Sequence, residues 1–372
     1  MPKDSRLIFS SNLINGLGYF IFTSFFLILL VNEGFNTIIY SEIYASSLLI
    51  EALIIFFNPR IVGRIGLKFT AVLFYILPGF GIFLSAAFSE LPVIWVGYVL
   101  FIVGGSGWAP IATIVNKISK GDFFTKNLIN LVSIGIRIGY LIGGILTFIG
   151  LLLNDNLRLI LIVSSLIVVA SSLPLLFLKE YTTTEKSISI GMKSILRALG
   201  YGTMSQLTFI LVPLLPLYLY DNGIFVYFIP LFLLFRYLGA IFIGRFVSTK
   251  FERNKKFVLL IQFFLLLSGL LFLFSYWYTI LIALFLIGVG GLNHNFYFSI
   301  YDANENHEIS NSSAFSIGVL ISSSLLILVG GYMYQISSLL LLVVLVITLL
   351  ISLIVTYSMI RNDENKHTTI AN

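Results

Sequence analysis

The chain has 372 residues, 58% of them hydrophobic and only 10% charged, with a net charge of +6; a soluble globular domain carries about 25% charged residues. Twelve membrane-crossing helices of about twenty residues each take up roughly 240 residues, and the remainder goes to loops and tails, which leaves no room for a soluble catalytic domain and excludes most enzyme classes. Cysteine is absent, so disulfides and thiolate metal sites are excluded as well.

Apolar runs predict twelve spans, at 8–31, 37–57, 69–88, 93–114, 128–152, 159–178, 199–220, 224–243, 257–276, 279–300, 314–334 and 336–358. The first follows a short basic start but is too long for a signal segment and reads as a retained span. An even number of spans places both termini on one side. The loops on that side hold 19 of the 22 Lys and Arg, and the opposite loops hold only Arg158. The positive-inside rule therefore puts both termini in the cytoplasm, with the chain in the plasma membrane. The same distribution accounts for the basic balance without a nucleic-acid partner.

Residues 181–197 form the longest polar interruption and read as a cytoplasmic linker between an N-terminal six-helix bundle, 1–180, and a C-terminal one, 198–360. The polar segment 361–372 is expected to be a disordered cytoplasmic tail. The two halves repeat. Ile61-Val-Gly-Arg-Ile65 recurs as Phe242-Ile-Gly-Arg-Phe246, an offset of 181; the run from Leu100 recurs from Leu284, an offset of 184; and Ser133-Ile-Gly recurs as Ser316-Ile-Gly, an offset of 183. Internal repeats of this kind mark secondary transporters.

The loop after the second span, Pro59-Arg-Ile-Val-Gly63-Arg64-Ile-Gly66-Leu-Lys68, resembles the signature loop of the major facilitator superfamily, with Arg64, Gly66 and Lys68 matching and Gly63 standing where the family has Asp. Gly244-Arg245 is its counterpart in the second half. In the fifth span, Gly135, Gly139, Gly143 and Gly144 resemble the family's antiporter motif, with Tyr140 in place of Pro. The first three lie four residues apart and form a flat stripe for close helix approach. The resemblance covers nearly the whole chain without assigning a subfamily. It implies an all-α membrane fold of two pseudo-symmetric six-helix bundles. It also implies a central cavity lined by spans one, four, seven and ten, with five against eight and two against eleven.

Ionisable groups inside a membrane are expensive and mark function. Glu51, Arg137, Arg236 and His294 lie well inside spans. Arg137 and Arg236 fall at similar depth on facing helices, where two guanidiniums repel unless an anion or a carboxylate lies between them. The alternative is structural use, with a backbone carbonyl or Glu51 as partner. Glu51 can load and release a proton or hold a permanent salt bridge, and Asn15 and Gln206 offer neutral hydrogen bonds. The expected function is a secondary active transporter of a small solute, an anion favoured, with protons as the candidate coupling ion. Its expected partners are the bilayer and the substrate, it is expected to be a monomer, and no cofactor or metal is expected. The competing readings are an exporter of neutral or amphiphilic compounds, a non-transporting sensor, and an intramembrane lipid enzyme, for which one buried His and one buried Glu are poor material.

Overall fold

The computed structural model describes residues 3–119, 127–153, 156–182, 195–196, 198–199, 210–250, 256–288 and 309–370, with side chains described for all of these except 243–250, 256–258, 309–312 and 359–370. These residues are helical almost throughout and contain no strand. A chain in hydrocarbon must satisfy every backbone polar group internally, and a helix does so within one segment.

The helices follow the order of the expected spans. Helix α1 is Lys3–Asn32. The stretch Thr37–Ala87 is broken at Gly66, whose φ of 81° and ψ of 164° suit glycine alone, and so comprises α2 (37–65) and α3 (67–87). Next come α4 (Leu91–Ser119), α5 (Ile129–Leu153) and α6 (Leu157–Leu176). The second half holds α7 (Val212–Asp221), α8 (Ile229–Lys250), α9 (Lys256–Phe272), α10 (Trp277–Ile287), α11 (Ile309–Ile336) and α12 (Ser338–Ile370). Seven of the helical stretches, the α2–α3 pair counting as one, are long and apolar enough to cross a membrane. The chain is a multi-pass membrane protein.

Two helices depart from α geometry inside their apolar runs. Helix α4 tightens to a 3₁₀ turn at Gly104–Gly107, and α5 opens with a π segment at Ile129–Ile134; such departures cluster at hinges and functional sites. The expected disordered tail is corrected: α12 continues unbroken to Ile370. Segment 361–370 contains neither Gly nor Pro, and extending an existing helix avoids the cost of nucleating a new one.

Small residues decide which helices meet. The Gly135–Gly143 stripe of α5 faces α1: a Cβ at Gly139 would lie 2.0 Å from the Leu13 carbonyl oxygen, and one at Gly16 the same distance from that of Ile136. Helices α8 and α10 interlock likewise, Gly239 against the Phe285 carbonyl and Gly288 against that of Arg236. Helix α2 packs along α11, and α5 along α8, as the resemblance implies. Near its start α2 is tied to α11, where Thr37 donates to Gln335 (2.5 Å) and Tyr332 donates to Glu42 (3.2 Å). At the same end Arg158 donates to Glu33, just beyond α1 (2.5 Å), to Ser89 (2.6 Å) and to the Ala86 carbonyl of α3 (3.3 Å). At the opposite, basic end, Tyr181 donates to Asp4 (2.5 Å); burial, and then that carboxylate, push the Tyr181 pKa up, which keeps its proton in place.

The outer surface is apolar, with Leu146, Leu166 and Leu325 at least half exposed, while Asn12, Asn58 and many serines are buried. This inversion of the soluble pattern suits a lipid solvent. Trp277 and Tyr278 are exposed at the start of α10, as an interfacial belt requires.

Candidate functional site: a tyrosine-lined central cavity

Aromatic residues spaced by three and four along helices share one face. On α1 these are Tyr19, Phe22 and Phe26; on α2 they are Tyr40 and Tyr44, with Glu51 seven residues further on the same side. The two faces converge on Tyr98 and Phe101 of α4. Tyr19 and Phe101 have ring centroids 4.5 Å apart, Phe26 and Tyr98 4.7 Å, and Tyr44 and Tyr98 5.4 Å. From the other side α5 and α8 bring Tyr140 and Tyr237, edge to face at 4.4 Å. The Tyr19 hydroxyl donates to the Phe101 carbonyl (3.2 Å), and that of Tyr40 to the Pro213 carbonyl (3.4 Å), which joins α2 to α7.

These rings enclose two adjoining cavities. One, of about 250 Å³, is walled by α1, α2, α4, α5, α7 and α8 and contains Arg236. The other, of about 260 Å³, is walled by α1, α2, α4 and α11 and contains Glu51, with Gly105 and Ser323. Tyr19, Tyr44, Phe101 and Ile102 line both. A larger cleft of about 650 Å³ lies away from the centre, at the basic end, between the Pro59–Phe69 turn and Glu180–Thr182.

The two charged residues are held differently. The Arg236 guanidinium lies 5.1 Å from the Tyr237 ring centroid, a cation–π contact, with Nη1 3.5 Å from the Tyr237 hydroxyl. Glu51 is buried, its Oε1 packed where a Cβ on Gly105 would be. Among the described residues it makes no side-chain hydrogen bond, and the ion pair present is the remote Arg158–Glu33. The structural pairing of Arg236 with Glu51 is therefore not made. Tyr44 lines both cavities, with Arg236 in one and with Glu51 in the other.

Arg137 is buried but stays out of the cavity wall. Its Nη1 donates to the Ser133 carbonyl one turn back, 2.7 Å away, at the end of the π segment. Its helix α5 packs against α8, which carries Arg236. Asn15 is buried one turn before Tyr19, and its Oδ1 has no partner among the described residues. Asn12 instead bridges helices: it donates to the Ile8 and Leu131 carbonyls and accepts from Tyr75. Gln206 and His294 lie outside the described residues, as do the side chains of Gly244 and Arg245.

In the signature-like loop, Gly63 has open space where a Cβ would project, Arg64 is exposed and the Lys68 ammonium sits 5.4 Å from the Phe69 ring centroid. Of the antiporter-like glycines, Gly135, Gly139 and Gly143 pack on α1 and Gly144 on Leu234 of α8. The tyrosines are the residues that sequence reasoning missed. The i, i+4 pair Tyr40–Tyr44 in phase with Glu51 is the signal that marks them.

No profile of a known protein family matches the chain, and no curated protein sequence does. Solved structures do match. The human organic anion transporter MFSD10 (TETRAN) superposes with a TM-score of 0.69 at 14% identity, over 96% of this chain and 100% of that one. The nucleoside transporter NupG gives 0.66 at 13% identity, over 95% and 99%. A bacterial homologue of the human lysosomal transporter Spinster, in an inward-facing and occupied conformation, gives 0.63 at 15%, over 97% of each. The chain has the major facilitator fold. In that fold the tyrosine-lined cavity lies where α1, α2, α4 and α5 meet α7, α8 and α11.

Proposed function

We propose that the chain is a secondary active transporter that moves a small organic anion across the plasma membrane by alternating access. The observation that carries this reading is Arg236, a guanidinium without a carboxylate partner among the described residues, set in an aromatic cavity at the centre of the bundle. Arg offers a planar fork of donors to carboxylate or phosphate, and the neighbouring Arg137 adds to the positive potential there. The aromatic walls take the apolar body of the solute. Among structures of the same fold, one is named as an organic anion transporter, which is in keeping with this substrate class.

Residues 1–180 and 198–360 act as two six-helix bundles that rock about the cavity, joined by the 181–197 linker. Both termini are cytoplasmic, because the basic end of the bundle carries the Lys and Arg that resist translocation. The glycine contacts of α5 with α1 and of α8 with α10 keep each bundle rigid as it moves. Proton coupling runs through Glu51, the carboxyl that faces the cavity. The protein works as a monomer.

Counterflow of radiolabelled aromatic carboxylates into proteoliposomes tests the reading. Uptake is expected with the native chain and lost in Arg236→Gln, and Arg236→Lys is expected to restore little of it. Normal uptake by Arg236→Gln overturns the anion site.

A further inference from the structure

We infer that the cavity is built for a solute carrying two opposite charges on either side of an apolar body, with its anionic group on Arg236 and its cationic group on Glu51. For its physiological setting the inference rests on the transporter reading above; for binding it stands on the cavity alone.

The first ground is that neither charge is spent within the protein. Glu51 is 5% exposed and has no hydrogen-bond or ion-pair partner among the described residues. Arg236 contacts only the neighbouring tyrosine among them. Glu51 is buried and Arg236 half-buried, and no ion pair joins them. The two cavities that hold them share Tyr19, Tyr44, Phe101 and Ile102 as lining.

The second ground is the chemistry of the Glu51 end. An acid beside aromatic faces is the arrangement that binds an organic ammonium, the carboxylate by charge and the rings through their quadrupoles. Tyr19, Tyr44 and Phe101 supply the rings and Glu51 the charge. Gly105, by lacking a side chain, makes room for the carboxylate against α4.

The third ground is spacing. Glu51 lies seven residues beyond Tyr44 on α2, about 10 Å at 1.5 Å per residue, while Arg236 comes from α8 and lines the other cavity together with Tyr44. The two charges of the solute are therefore several bonds apart, which favours an ω-amino acid or a dipeptide over an α-amino acid.

The test is a binding series on the purified full-length protein in detergent, read by thermal shift and by competition. Two scaffolds are offered with both charges and with either one removed. One scaffold is para-(aminoethyl)benzoate with its carboxylate-only and amine-only analogues, and the other is alanyl-phenylalanine with its N-acetylated and C-amidated forms. On the native chain the doubly charged member is expected to bind tightest. Glu51→Gln is expected to weaken it by ~30-fold or more and to change the carboxylate-only analogue little, and Arg236→Gln to do the converse, as loss of one partner of a desolvated charge pair does. Glu51→Asp, which keeps the charge, is expected to preserve the ranking and guards against a misfolded Gln variant.

The inference is overturned if the carboxylate-only analogues bind as well as their doubly charged parents, if Glu51→Gln leaves the ranking unchanged, as a purely proton-carrying Glu51 would, or if no member binds. Counterflow separates this from the broader reading. Uptake of carboxylates without any preference for a second charge sinks the inference and keeps the transporter, and charge-ranked binding without counterflow does the reverse.

Discussion

Glu51 fills the space that Gly105 leaves empty: a Cβ built on Gly105 would lie 2.2 Å from Glu51 Oε1. The glycine-rich 3₁₀ turn of α4 and the carboxylate of α2 are thus two halves of one feature. Gly105→Ala is expected to push the carboxylate aside without unfolding the protein, because what yields is the tip of a flexible side chain. The melting temperature should move little, and affinity for amine-bearing solutes should fall by about tenfold, equivalent to ~1.4 kcal/mol. Unchanged amine affinity would separate Glu51 from the binding site.

The glycines of the helix crossings behave differently, since their neighbours are backbone. A Cβ at Gly139 would meet the Leu13 carbonyl oxygen at 2.0 Å, and one at Gly239 that of Phe285 at 1.8 Å. Either Gly→Ala change forces two helices apart and is expected to cost ~1–3 kcal/mol, the usual penalty of overpacking. Gly63→Ala, with nothing within 4 Å, serves as the neutral control. Detergent melting of the three variants should separate them clearly.

Arg137 and Arg236 are distinguished by what they touch. Arg137 is held on the Ser133 carbonyl outside the cavity, so in the proposed anion site it would act on the solute only through its field. Arg137→Met is expected to keep the protein folded, since replacing a buried charge by an apolar side chain of similar size is often neutral. Aromatic carboxylates should bind it more weakly, by less than Arg236→Gln costs. Equal losses in titrations of the two variants would place both guanidiniums on the anion.

At the opposite end from the basic loops, Arg158 joins α1, α3 and α6 through Glu33, Ser89 and the Ala86 carbonyl. The Arg158–Glu33 pair is about one third exposed, and such pairs contribute ~0.2–1 kcal/mol. Arg158→Gln should therefore lower the melting temperature modestly, and the difference from the native chain should shrink in high salt as screening weakens the pair.

Sidedness follows from the loop charges. Asn222 and Thr182 are both exposed, just beyond the ends of α7 and α6. In this Cys-free chain, Asn222→Cys is expected to react with an impermeant maleimide applied to intact cells, and Thr182→Cys only after permeabilisation. The reverse pattern would invert the topology.

The sequence by itself marked the apolar segments suited to a membrane and, through 19 basic residues grouped in alternate loops, set the expected side of each loop. These are local properties, because a bilayer reads apolar length and loop charge one segment at a time. The fold was legible in the repeat offsets and the degenerate signature loop, and Glu51 and Arg236 stood out because an ionisable group in hydrocarbon is costly wherever it lies. Only the tertiary structure decided where those groups sit: Arg137 turned back to its own helix, Arg236 in one cavity wall, Glu51 seated against Gly105, and Tyr44 lining the cavities of both. The tyrosine cage likewise comes from five helices, and no single helix shows it. The physical reason is that helices within lipid gain little from hiding apolar surface, so their partners are chosen by close contact at small residues. That complementarity exists only once two particular helices meet.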